Sequence, residues 1–303
     1  MSINSNGSVL VVKNTFMDLP QKRLTNFQIS VNAFQKSPTA MLGLFLVLIL
    51  ISVAITAPLI TKYSPTEMLV KDRLQGPSIE HPAGTDELGR DTITRIIYGA
   101  RLALKTGLLS VGLSFLIGVP LGLISGFRKG LLDDLIMRIM DGLSSFPPLI
   151  LAIATTAALG YGANNALIAI AITYIPTFAR IARGQVLCEQ EELYIEAARS
   201  IGARDSRIMF KHLLPNIISP LIVQASLLIS NAILAEASLS FLGIGAQPPA
   251  PSWGTMLKTS AGYMTRNIWM AIGPGVALFL TVLGFNFLGD GLRDALDPVL
   301  IKK

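Results

Sequence analysis

Residues 217–239 read IISPLIVQASLLISNAILAEASL, a run with one carboxylate, Glu236, and no basic side chain. About 20 such residues cross a hydrocarbon core of roughly 30 Å as a helix, because a helix satisfies its own backbone where no water can. Five further runs of this kind lie at 39–60, 101–126, 144–160, 165–181 and 268–288. Composition agrees: of 303 residues 51% are hydrophobic and 15% charged, and the mean hydropathy is +0.57. A soluble domain rarely has this makeup. Pro147, Pro148 and Pro176 interrupt the third and fourth runs. Neighbouring helices can satisfy the carbonyls that proline frees, so these residues read as kinks inside spans. The expectation is an all-α membrane protein with six transmembrane helices.

The polar segment 182–216 lies immediately upstream of the first quoted run. Glu189, Glu191, Glu192 and Glu196 crowd the start of a predicted short helix that ends at Arg199, the charge order that a helix dipole favours. Gly202 follows as a C-cap and turn. A second short helix carries Asp205 early and Lys211 late, and Pro215 opens the next span. Leu193, Ala197 and Ile201 share one stripe at i, i+4 spacing, and the small Ala197 and Ala198 leave room for another surface. Lys and Arg outside the spans set the orientation. Lys13, Lys22, Arg23, Lys36, Arg128, Lys129, Arg138 and the basic residues of 182–216 fall on one side, with Arg293, Lys302 and Lys303. That bias puts both termini and the polar segment in the cytoplasm, against a basic contribution from the outer segment 61–100.

Several function classes are excluded. The net charge of +6 is spread over loops without interleaved aromatics, so no nucleic-acid partner is expected. His81 and His212 fall on opposite sides of the membrane, which argues against a metal site or a Ser-His dyad using both and counts against a membrane-embedded hydrolase, the third option. No metal site and no catalytic residue is expected. There is no G-x-x-x-x-G-K-[ST] loop, so an ATP-driven process needs a partner's ATPase. Cys188 stands alone. The first apolar run is too long for a signal-peptide core and lacks an A-x-A site, so it reads as a retained anchor.

EAARSIG at 196–202 and HLLPN at 212–216 resemble the EAA loop of bacterial ABC importer permeases. HPAGTDELGRDTITRIIYGARLAL at 81–104, EASLSFLGIGAQPPAPSWG at 236–254 and FNFLGDGLRDALDPVL at 285–300 resemble the dipeptide, oligopeptide and nickel permease family, in its C-type subunit. Ala83 stands where that family often has leucine. The resemblance implies a type I importer permease: one N-terminal helix and a five-helix core. The parts are a cytoplasmic segment 1–38, a helix 39–60 and an extracytoplasmic loop with amphipathic entry 61–100. The core 101–290, holding the loop 182–216, and a cytoplasmic tail 291–303 follow. It implies docking of Glu196, Ala197, Ala198, Gly202, His212, Leu214 and Pro215 on an ATP-binding subunit. Implied partners are a homologous permease, two ATP-binding subunits, an extracytoplasmic solute-binding protein and lipid. ATP and Mg belong to the partners, and this chain binds no cofactor. The implied place is the bacterial inner membrane, and the implied role is non-catalytic. The cargo is a di- or oligopeptide, with glutathione or a nickel or metal chelate as alternatives.

Polar residues in the spans have two readings. Gln224, Asn231, Glu236 and Asn286 either line a translocation path or bond between helices, packing being the commoner use. Asp290, Arg293, Asp294 and Asp297 read as a helix terminus with local ion pairs. Pro248, Pro249, Pro251 and Trp253 form a stiff outer loop. The rival from another class is an ion-gradient-driven secondary transporter, which calls for midplane carboxylates and has no use for a docking loop.

Overall fold

A computed structural model describes residues 26–296. The segment before residue 26 and the tail beyond 296, Asp297 included, lie outside the described residues. The elements are α1 (Asn26–Lys36), α2 (Pro38–Ile60), α3 (Thr92–Arg128), α4 (Leu131–Ser144), α5 (Pro148–Leu159) and α6 (Ala163–Glu189). They continue as α7 (Leu193–Ser200), α8 (Asp205–Arg207), a π turn (Ile208–Leu213), α9 (Leu214–Leu242), α10 (Trp253–Ala261) and α11 (Trp269–Leu296). Local chemistry sets the starts. Ser37 accepts from the Ala40 amide and Pro38 takes the first helical position of α2, while Asp91 accepts from the Thr94 amide at 2.8 Å to cap α3.

Among the described residues five helices are long and apolar enough to cross a membrane: Pro38–Ile60, Thr92–Arg128, Ala163–Glu189, Asp205–Leu242 and Trp269–Leu296. The sixth crossing differs from the uninterrupted span expected over 144–160. Its helix α5 has 12 residues, about 18 Å at 1.5 Å per residue, too short alone for a core of roughly 30 Å. The preceding α4 lies at 92° to α5, so the two together form a broken span or a re-entrant loop. Pro147 and Pro148 cause the break: each lacks an amide hydrogen, each disfavours helix in the residue before it, and the chain restarts with Pro148 at the first turn. Pro176 behaves as expected, since α6 continues through it.

The tightest helix pair is α3 with α6, and glycine makes it possible. A Cβ on Gly118 would lie 2.6 Å from the Ile175 carbonyl oxygen, on Gly122 2.2 Å from that of Ala179, and on Gly126 2.9 Å from Val186 Cβ. Spaced by four, the three form a groove floor for α6, with Ser114 donating to the Ala171 carbonyl at 2.9 Å. Gly112 has open space beside it and is no part of this device. Pro58 in α2 cannot donate to the Ala54 carbonyl, and Arg101 of α3 donates to it instead, with a second bond to Ile55.

Helices α3, α6 and α11 end and α2 begins at one end of the bundle, here the hairpin end, where Arg128 meets Asp205, Lys129 meets Glu191 and Gly291 lies against Ala40. At the opposite end 61–91 folds back over the bundle. His81 is buried there, bonded to Asp91 at 2.9 Å and stacked on Tyr63. Arg90 and Arg95 meet Asp86 and Glu87, and Arg95 donates to the Pro65 carbonyl. Buried charges here are paired, as their desolvation requires.

Candidate functional site

The segment expected to dock a partner folds as a hairpin. Its first arm, α7, starts at Leu193, so Glu189 closes α6 and Glu191 and Glu192 precede the helix. The arm ends in a Schellman motif: the Gly202 amide donates to the Arg199 carbonyl at 2.9 Å and the Ala203 amide to Ala198 at 3.0 Å. Gly202 has φ +73°, with nothing near its absent Cβ. Backbone conformation, not crowding, requires glycine here. The second arm is not the separate short helix expected from the sequence. Asp205 starts a helix that runs to Leu242, passing Ile208–Leu213 as a π turn. Pro215 cannot donate to the Lys211 carbonyl, and the widened turn lies beside that lost bond. The hairpin is therefore continuous with a membrane-crossing helix.

The two faces of α7 differ. Ile195 and Ala198 are buried and join a core with Ile208, Leu213 and Ile217. Leu193 and Ile201 are 80% and 84% exposed, and Ala197 between them is exposed too. This apolar stripe has no cover within the chain, and it borders a cleft of 710 Å³ lined by Tyr194, Ala197, Ala198, Gly202, Arg204 and His212 among others. Of the residues expected at a docking surface, Glu196, Ala197 and Pro215 are exposed and His212 lines the cleft. Ala198 is buried at its floor, and Leu214 packs inward against the core.

Side chains absent from that expectation anchor the hairpin. The Tyr194 hydroxyl donates to the Glu189 carboxylate and accepts from Asn216 Nδ2 at 2.7 Å. Partial burial, with the neighbouring Glu189, pushes this phenol up to about 12, so it stays a donor at physiological pH. At the other end of α7, Arg199 donates to Gln190, which donates to the Gly126 carbonyl at the end of α3. The Arg199 guanidinium also lies 5.7 Å from the Phe127 ring centre. Nearby, Asp133 of α4 receives Arg183 of α6 through two bonds of 2.7 Å and also accepts from Ser125. A tyrosine and an aspartate with partners distant in sequence carry no local pattern, so periodicity could not flag them.

A second cleft, of 330 Å³, opens between α5, α6 and α9, with Thr173, Tyr174, Asn231 and Ser238 as its polar lining. Asn231 is exposed in it, whereas Gln224, two turns earlier on the same face, lies outside its lining. Glu236 faces away: it is buried and accepts from Ser240 at 2.7 Å and Ser252 at 3.0 Å, tying α9 to the start of α10. Asn286 bonds Ser230 at 2.7 Å between α9 and α11. Among the described residues no group of His, Cys, Asp or Glu is placed to hold a metal.

Comparison with known proteins agrees with this architecture. Residues 118–302 match the family described as binding-protein-dependent transport system inner membrane component, and 25–77 match the N-terminal TM domain of oligopeptide transport permease C. The dipeptide transport system permease protein DppC of Alkalihalophilus pseudofirmus is 48% identical over 87% of each chain. The glutathione transport system permease protein GsiD of Pectobacterium atrosepticum is 49% identical over 85% of this chain and 86% of its own. The di/tripeptide transport system permease protein DppC of Pseudomonas aeruginosa is 44% identical over 88% and 90%. Two structures of the MetNI methionine ABC transporter, inward facing, share the fold at 23% identity with TM-scores of 0.53 and 0.57. They cover 67% and 68% of this chain and 97% and 98% of theirs.

Proposed function

This chain belongs to the family of binding-protein-dependent transport system inner membrane components, and from that membership we propose how it moves its solute. It is a multi-pass permease subunit of an ABC importer. The cargo we assign is a di- or tripeptide, in keeping with the relatives named for those solutes; glutathione is the second reading, carried by the relative named for it. A nickel or metal-chelate cargo has no such support among these relatives.

The hairpin end faces the cytoplasm in this reading, with both termini there; two ATP-binding subunits lie at that face, and the hairpin docks on one of them. They bind ATP and Mg and hydrolyse the nucleotide; this chain binds neither. A homologous permease completes the path, and an extracytoplasmic binding protein delivers solute to the opposite end. One observation carries the docking claim: Leu193, Ala197 and Ile201 form an uncovered apolar stripe on a helix that is anchored on its other face. An exposed stripe of this kind marks an interaction surface. ATP-driven closure of the ATPases pushes the hairpin, and the helix Asp205–Leu242 carries the displacement through the membrane.

The test is a cross-link. With the exposed Cys188 replaced by serine, Ile201→Cys should cross-link to the ATP-binding subunit of the purified complex. A cysteine at Ile79, fully exposed at the opposite end, should not. Equal labelling at both positions, or none at Ile201→Cys in a complex that contains the ATPase, contradicts the docking claim.

A further inference from the structure

Three helices converge on one phenol at the hairpin end. Tyr194 stands in the first turn of α7, Glu189 is the last residue of α6, and Asn216 stands in the first turn of α9. The Tyr194 hydroxyl uses both its capacities, donating to the Glu189 carboxylate and accepting from Asn216 Nδ2 at 2.7 Å. Asn216 gives its amide also to the His212 carbonyl at 3.1 Å, inside the π turn, and the His212 ring lies 6.4 Å from that of Tyr194. The same hydroxyl thus spans α7, α6 and the entry to α9.

The rest of α7 gives this geometry its consequence. Its buried face, Ile195 and Ala198, resists displacement into the core but allows sliding along it, because apolar contacts have little directionality. Directional bonds fix the helix at two places, Tyr194 near its start and Arg199 near its end. The Arg199 anchor leads to Gln190 and to α3. The Tyr194 anchor leads directly to the helix that crosses the membrane beside the 330 Å³ cleft.

We propose that Tyr194 is a positioning residue that converts a push on the hairpin into movement of α6 and α9, its hydroxyl acting as the pin between them. This rests on the docking reading above and adds to it the route by which force leaves the hairpin. Without the pin, α7 slides under load and part of each ATP-driven stroke is lost before reaching the membrane. The proposal concerns coupling, not docking: the exposed stripe of Leu193, Ala197 and Ile201 remains intact when the hydroxyl is removed.

The test uses the complete complex in proteoliposomes with its solute-loaded binding protein. Tyr194→Phe keeps the ring and removes the pin. ATP hydrolysed per solute imported should rise about fivefold or more, fivefold being the factor for one lost hydrogen bond where the hydroxyl makes two, with the apparent affinity for ATP unchanged. Asn216→Ala, which leaves the bond to Glu189, should raise the ratio less, and adding it to Tyr194→Phe should change little, since the Tyr194–Asn216 bond is already lost. A wild-type ATP-to-solute ratio in Tyr194→Phe overturns the proposal. If Tyr194→Phe lowers the yield of complex, amide exchange along Leu193–Ser200 in the remaining material decides it: faster exchange supports the pin, unchanged exchange overturns it. Failure of the Ile201→Cys cross-link would strike the docking reading itself, and so is distinguishable from a failure of the pin.

Discussion

Gly202 is fixed by one torsion. At φ +73° an L-residue bears about 1–2 kcal/mol of steric cost, and a β-branched one more. Gly202→Val should therefore unwind the Schellman turn and lower ATP-driven uptake severely, while Gly202→Ala, meeting no neighbour, should lower it less. Uptake assays with the assembled complex check this order; wild-type uptake by Gly202→Val contradicts it. The Asp133–Arg183 pair makes a different prediction. Its two parallel bonds need a guanidinium fork, so Arg183→Lys loses one of them and should cost about 1 kcal/mol, the upper end for an exposed ion pair, because Arg183 is only partly exposed. Asp133→Ala should cost more, as it leaves Arg183 without the carboxylate, and thermal unfolding of the purified protein reads both. Gly202 was legible in the sequence because a glycine after a helix-terminal Arg is a local signal. Tyr194 and Asp133 were not, because their partners Asn216 and Arg183 come together only once the helices pack.

Among the elements, α3 and α6 approach so closely that the packing predicts the sign of each glycine substitution. Gly122→Leu places side-chain atoms where the Ala179 carbonyl stands and should destabilise by about 3 kcal/mol or more. Gly112→Ala meets nothing and should stabilise slightly, by about 0.5 kcal/mol, since alanine is the better helix former. The melting temperatures of the two variants should move in opposite directions. Gly112 and Gly122 look alike in the sequence; only the partner's position separates them. The elements also show where apolar runs mislead. The 144–160 run had the composition of a span, yet Pro147 and Pro148 break the helix there, leaving α5 with 12 residues and α4 set at 92° to it. Likewise the second arm of the hairpin merges with α9 because no glycine separates Asp205 from the span.

For the whole molecule, hydrophobic content and the spacing of the apolar runs were enough for an all-α membrane protein, and the quoted motifs for its family. The side of the membrane rests on basic residues alone, and it yields a prediction: a cysteine introduced at Ile79 should react with a membrane-impermeant thiol reagent in intact cells, and one at Ile201 should react only after permeabilisation. The reverse pattern would invert the orientation. The deeper claim is that this chain moves solute through work done on its hairpin by another subunit. The direct measurement is uptake of a labelled dipeptide into proteoliposomes holding the complete complex with solute-loaded binding protein. Uptake is expected with ATP on the ATPase side and none when ATP is replaced by a proton or sodium gradient. Gradient-driven uptake by this chain, with no ATP-binding subunit present, would contradict it.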